Sequence, residues 1–238
     1  MDGSESAPTP HTTEPPNDEE STVPLFPLST VVLLPRIQVP LYIFEPRYRQ
    51  MVESALEADR RIGMIAVPPP GAARMIGDPE VYTTGSVGRI EQCRRREDGT
   101  YDIVLNGLAR FRILREIPRP PRQLYRHARV VLLDDADSGV DHESVKRLRS
   151  EVALRACELL ERVAPERIAA LRHGSLVNAD DEVYVNALSL SFDFDTRERQ
   201  ALLEASNVTR RYEGLLSLLH FRLAETEGCG SSDPDSLQ

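Results

Sequence analysis

Of the 29 basic residues in this chain, 28 are arginine, and Lys146 is the only lysine. A phosphate-gripping Gly-Lys-Ser/Thr loop, a Ser–Lys dyad or a Schiff-base lysine would therefore all have to be built on that one side chain. Lys146 follows Val145 and precedes Arg147. This excludes the loop, and the charged helical stretch around it predicts a solvated amine. His11, His127, His142, His173 and His220 are scattered, with no HExxH pair to hold zinc on one helix face, and no GxSxG elbow is present. Cys93, Cys157 and Cys229 are odd in number and far apart, which is neither a disulfide framework nor a zinc spacing. A reducing, cytoplasmic setting is the expectation, with Cys157 a small core residue. The residue types imply no catalytic centre, no metal and no other cofactor.

Two patterns could bind rather than react. Arg94-Arg95-Arg96 stands beside a hairpin turn and, with Arg110 and Arg112, could face phosphates; a charged hairpin tip kept for solubility is the plainer explanation. Residues 68–76 hold Pro68, Pro69, Pro70, Met75 and Ile76, apolar side chains on a segment that proline keeps extended. Such a loop could hold a polypeptide, although Met75 and Ile76 could equally tuck into a core. The proline-bordered stretch Leu33–Val39 is a second candidate, as an available strand edge.

The net charge of −9 belongs to the ends. Residues 1–22 carry six acids and residues 227–238 three, without a base in either, so residues 23–226 are formally neutral. Within that span residues 23–135 hold 17 bases against 13 acids, too small an excess to argue for nucleic acid. The two end segments are poor in apolar residues and are expected to be disordered tails. No apolar run approaches membrane-spanning length, and the first 20 residues lack an export-type apolar stretch.

Between the tails the texture changes once. Residues 23–34 and 38–44 read as apolar strands whose prolines, Pro24, Pro27 and Pro40, place them at edges or bends. Pro46 opens a helix, with Tyr48, Met51, Val52, Ala55 and Leu56 on one face. A strand at 62–67 precedes the loop at 68–80. A meander then spans 86–117, with a hairpin turn at Glu97-Asp98-Gly99 and a second turn at Asn106-Gly107, and a last strand covers 124–133. The remainder is helical. Ser138 with Asp141 opens a helix whose stripe is Val145, Leu148, Val152, Ala156, Leu159 and Val163. Asn178 or Asp180 caps the next, Asp195 with Glu198 a third, and a fourth runs over about 207–225. The fold class is α+β: residues 23–136 β-rich, residues 137–226 a helical bundle.

Residues 24–56 contain Leu41-Tyr42-Ile43-Phe44-Glu45-Pro46-Arg47-Tyr48, followed in register by Ile62-Gly63-Met64, Val87-Gly88-Arg89-Ile90 and Tyr101-Asp102-Ile103-Val104-Leu105-Asn106-Gly107. Together with Phe111-Arg112-Ile113-Leu114 and Leu202-Leu203-Glu204, this pattern resembles the Lon protease amino-terminal (substrate-binding) domain family over most of residues 23–220. The resemblance implies a PUA-like mixed β-barrel half with a covering helix, then a helical bundle. It also implies a stand-alone polypeptide-binding module, without the family's ATPase and protease domains, serving protein quality control or as a protease or chaperone adaptor. Its partners would be unfolded or flexible polypeptides; the alternative is an RNA-binding PUA-like protein using the basic hairpin. One departure stands out: Pro35 is followed by Arg36 where the family often has glycine, which leaves the geometry of that turn open. Phe44, Tyr48 and Met51 are expected in the core, and Glu45 at the helix start as a capping carboxylate.

Overall fold

The computed structural model describes residues 20–69, 77–134 and 141–229. Along the chain come β1 (Glu20–Leu28), β2 (Gln38–Ile43), α1 (Pro46–Glu57), β3 (Arg61–Ala66), β4 (Thr84–Arg95), β5 (Tyr101–Ile117) and β6 (Arg126–Leu133). Helices follow: α2 (His142–Val163), α3 (Ile168–His173), α4 (Asp181–Ser191), α5 (Thr196–Glu204) and α6 (Val208–Cys229). The α+β class is as the sequence implied. β1 and α6 each reach three residues into the segments assigned to tails, whose remainders, 1–19 and 230–238, lie outside the described residues. Ser138 also lies outside them, and α2 is capped by Asp141, whose carboxylate accepts from the Glu143 N–H at 3.2 Å.

The strands form one sheet in the order β2-β5-β4-β3-β1-β6, and β5 pairs with β6 as well. The strands β5, β4, β3, β1 and β6 thus close into a ring, with β2 attached outside it along the first half of β5. Closure removes edges from the ring. Among the described residues β2 is bonded on one side only. α1 lays Tyr48, Met51, Val52 and Ala55 onto a core made with Phe26, Ile62, Ile90 and Leu105.

Three sequence expectations are corrected here. The strand read over 23–34 stops at Leu28; Val32, Leu33 and Leu34 are buried but irregular, Val32 and Leu34 packed toward Leu203 of α5 and Leu33 into the core under α1. β1 is not an edge strand either. It pairs with β6 over Glu20–Leu25 and with β3 over Leu25–Leu28, so Pro24 and Pro27 each have a bonded neighbour on one side and lose no ladder bond on the other. Asn106-Gly107 makes no turn: β5 continues through it, with a register shift against β4 between Gly107 and Ala109. The glycine is there for close approach. A Cβ on Gly107 would sit 2.3 Å from the Leu34 carbonyl oxygen, and the Gly107 backbone exchanges hydrogen bonds with Arg36 and Ile37 at 2.8 and 2.9 Å.

Those bonds settle the turn that departs from the family pattern. Arg36 adopts the left-handed region, φ 61°, without being glycine. Such a conformation costs roughly 1–2 kcal/mol. Its N–H donates to the Gly107 carbonyl, and its guanidinium meets Asp180 at 2.7 Å, at the cap of α4.

The helical half has its own core of Val152, Ala156, Leu159, Tyr184, Leu188, Tyr212, Leu215 and Leu219. Val163, expected in that stripe, is exposed because it ends α2. Asp180 caps α4, and Asp195 with Glu198 forms a capping box on α5. The β and helical halves meet through polar side chains aimed at backbone carbonyls: Gln200 at Thr84 (3.0 Å), Thr196 at Ser29 (2.8 Å) and Asn186 at Pro35 (2.9 Å). Arg211, fully buried, donates to the Leu202 carbonyl and to Asn186.

Candidate functional site

β2 positions the most exposed aromatic pair of the β half. Its residues alternate, with Ile43 turned inward and Tyr42 outward, and Phe44 continues the outward set past the strand end. Tyr42 is 49% and Phe44 59% exposed, with ring centroids 5.8 Å apart. The sequence expectation that Phe44 is core is therefore wrong, while Tyr48 and Met51 are buried as expected. The alternation Val39, Leu41, Ile43 was the signal that could have found it.

The free edge of β2 has a definite pattern. Pro40 has no N–H to give, so in an antiparallel ladder with Val104 opposite it, its nitrogen faces away from β5. Gln38 and Tyr42, two residues to either side, then also turn their N–H and C=O outward. The edge offers two donors and three acceptors around a central gap.

Beside it lies a groove of about 650 Å³ lined by Pro40, Tyr42, Gln92, Arg94, Asp102 and Val104. Asp102 organises its polar side, accepting from Arg96 at 2.8 and 2.9 Å and from Arg94 at 3.0 Å. These hydrogen bonds, Arg96 foremost, hold the Asp102 carboxyl below the usual range. The Arg96 guanidinium also lies 4.8 Å from the centre of the Tyr42 ring. Of the arginine run, Arg94 and Arg96 thus share one carboxylate, while Arg95, opposite Tyr101 on the alternate face, is exposed. Arg110 does not join them. It is buried and donates to the carbonyls of Leu203, Ala205 and Ser206 at the end of α5.

A second groove, about 520 Å³, follows directly after Phe44 and is lined by Glu45, Arg47, Gly77, Asp78, Arg119 and Leu124. Glu45 sits at the cap position of α1 but makes no capping hydrogen bond; its carboxylate accepts from Arg47 at 2.8 Å. Arg47 donates in turn to the Gly77 carbonyl at 2.7 Å, tying Gly77 to the start of α1. Of the loop candidates, Pro68 is half-buried and Pro69 exposed, and Pro70, Met75 and Ile76 lie outside the described residues. The other candidate edge, Leu33–Val39, is displaced: Leu33 and Leu34 are buried, and the available edge begins at Gln38.

This architecture has relatives. A sequence profile of the ATP-dependent protease La (LON) substrate-binding domain matches residues 22–220. The chain belongs to that family. Lon protease 2 of Myxococcus xanthus is 27% identical over 85% of this chain, and Lon protease of Salinispora arenicola 32% identical over 87%. In both cases the matched part is 24% of the relative, so the chain spans about a quarter of their length. A crystal structure of a Lon N-terminal domain protein from Xanthomonas campestris superposes with a TM-score of 0.58 at 25% identity, covering 83% of this chain and 98% of that one. The N-terminal domain of a Mycobacterium avium complex Lon protease gives a TM-score of 0.62 at 19% identity, over 84% of this chain and 98% of its own, a likeness of fold.

Lys146 is exposed, and its hydrogen bond to Glu143 at 3.0 Å pushes the amine up, away from what a nucleophilic lysine needs. Burial pushes the Cys93 thiol up as well. Among the described residues no three His, Cys, Asp or Glu side chains gather as a metal would require, and no helix is long and apolar enough to cross a membrane.

Proposed function

We propose that this chain works by holding extended polypeptide, without catalysis of its own, as a cytoplasmic recognition module for protein quality control or an adaptor to a separate protease or chaperone. The observation that carries this reading is the one-sided strand β2 with Tyr42 and Phe44 exposed along it. A flexible client supplies a free backbone that can add to the edge. Each such hydrogen bond only replaces one to water and contributes about 1 kcal/mol. The aromatic rings supply the rest without selecting a sequence, which suits varied clients. The groove after Phe44 extends the surface to Gly77 and Asp78, and we assign Pro68, Pro69, Pro70, Met75 and Ile76 as a further contact for the client. Family membership supports substrate recognition as the task. Phosphate binding at the hairpin is the weaker reading, because Asp102 already engages Arg94 and Arg96.

The test is a full-length Tyr42→Ser/Phe44→Ser variant titrated with reduced, carboxymethylated lactalbumin, a permanently unfolded chain. An aromatic side chain buries about 200 Å² and roughly half of each ring is open here, so a bound client covers about 100 Å² per ring, up to about 2.5 kcal/mol each. Association recovers only part of that, so Kd should rise at least about tenfold. Both rings are exposed, so melting should stay within about 2 °C of the parent protein. Unchanged affinity in a protein that still melts normally removes the β2 edge from the binding surface.

A further inference from the structure

The helical half encloses a cavity that its own side chains leave open. Ser150, Ala153 and Cys157 recur at i, i+3 and i+7 along one face of α2, and all three are small. They look across at Leu171 of α3, Val177 of the turn that follows it and Tyr184 of α4, around a space of about 290 Å³. The adjoining stripe of α2, with Val152, Ala156 and Leu159, is packed into the core instead. Cys157 is therefore half-buried beside the cavity, not closed into the core as its type suggested. An engineered apolar cavity of about 150 Å³ binds benzene, and this one has room for a ring with a substituent.

One polar group in this wall lacks a partner. Tyr184 is 4% exposed, and its hydroxyl bonds to no other described residue, whereas Tyr101 donates to Glu53 and Tyr212 to the Asp181 carbonyl. The Tyr184 oxygen is not sealed in the core as the Tyr48 hydroxyl is, so it opens into the cavity that its ring lines. Burial pushes this phenol up, which keeps it an O–H able both to donate and to accept. The other polar groups are engaged. The Arg149 guanidinium lies 4.1 Å from the centre of the Tyr184 ring and donates to Asp181 at 2.8 Å and to the carbonyls of Ala179 and Val177 at 2.8 and 3.0 Å. Ser150 donates to the Lys146 carbonyl at 3.0 Å. A charged ligand would lose its water here without gaining a counter-charge, because Arg149 is already paired with Asp181. We propose that this cavity is a binding site for a compact, neutral, mostly apolar molecule, a ring carrying one hydroxyl or carbonyl, held by the Tyr184 hydroxyl. Ala153, Leu171 and Val177 pack against the ring, and the polarizable sulfur of Cys157 suits an aromatic one. The site is built wholly from the helical half and is independent of the client-binding reading of β2.

The experiment uses the full chain, with phenol and toluene as probes, because they share a ring and differ in the hydroxyl. Each is titrated while backbone amide spectra are recorded, and alkylation of each cysteine by N-ethylmaleimide is followed by peptide mass spectrometry. Molecules this small bind in about the millimolar range. Both should saturably shift amides around Ala153, Cys157, Leu171 and Tyr184, and both should slow alkylation of Cys157 but not of Cys93. Tyr184→Phe should weaken phenol binding about fivefold, the effect of one hydrogen bond, and leave toluene unchanged. Ala153→Leu, which fills the space, should abolish binding of both. Should that variant fail to fold, Tyr184→Phe changes the volume little and the phenol–toluene comparison still decides. No saturable shift at these amides, shifts confined to β2, binding of both probes that survives a folded Ala153→Leu variant, or a Tyr184→Phe variant that binds phenol as the parent does: each overturns the inference.

Discussion

Replacing Arg110 with methionine keeps the length and apolar bulk of the side chain and removes its guanidinium. Arg110 is 3% exposed and donates to three carbonyls, Leu203 at 3.1 Å, Ala205 at 2.8 Å and Ser206 at 3.3 Å. α5 ends at Glu204, so these are carbonyls at the negative end of its dipole. A hydrogen bond from a charged donor contributes roughly 1.5–3 kcal/mol, and a buried carbonyl left without a donor costs about 1–3 kcal/mol. Only the 2.8 Å bond is short, so the full sum overstates the case; about 4 kcal/mol is the working figure, in line with breaking a buried charged contact. A buried ion pair can often be exchanged for apolar residues at no loss, but that requires replacing both partners, and backbone carbonyls cannot be replaced. For a domain of this size about 2–4 °C accompanies each kcal/mol, so the melting temperature should fall by about 8–16 °C. Arg110→Lys keeps the charge but not the fork and should fall about half as far. Thermal and urea unfolding followed by circular dichroism measure the loss, and hydrogen exchange should locate it at the β5–α5 junction. A methionine variant melting within about 2 °C of the parent would refute the reasoning, because the carbonyls would then be served by water.

Gly107→Ala places a Cβ 2.3 Å from the Leu34 carbonyl oxygen and should cost about 3 kcal/mol, read in the same unfolding experiment; an unchanged melt means the 35–37 turn moves aside freely. Tyr48→Phe should stabilise the protein by about 1 kcal/mol, because the hydroxyl is buried with no hydrogen-bond partner among the described residues. Burial also pushes the Tyr48 phenol from 10.0 up to about 12. Stability is therefore unaffected by this phenol's ionisation below pH 10 and falls as pH rises from 10 through about 12, an alkaline limb that the phenylalanine variant should lack; a lower melting temperature in that variant at neutral pH would instead show that the hydroxyl has a partner.

Local chemistry was legible along the chain. The helix opened by Pro46, the Asp98-Gly99 hairpin, the capping box of Asp195 and Glu198, and the change from strands to helices all rest on contacts within a few residues, which spacing encodes directly. The same holds for the chemistry left out: one lysine in the wrong setting excludes a phosphate loop wherever the chain folds. Tertiary structure decided the rest, because those properties depend on residues far apart in sequence. Asn106-Gly107 has the composition of a turn, and only the Leu34 carbonyl above it makes the glycine a point of close approach inside a long strand. Arg110 reads as one more surface arginine, and becomes a buried clamp because α5, over ninety residues later, ends against it. Phe44 reads as core by its type; it is exposed because, among the described residues, β2 pairs with β5 alone and its outward face meets no second layer. Sequence periodicity determines which face of an element is apolar, but whether that face is covered is decided by the closure of the ring and by where the helices come to rest.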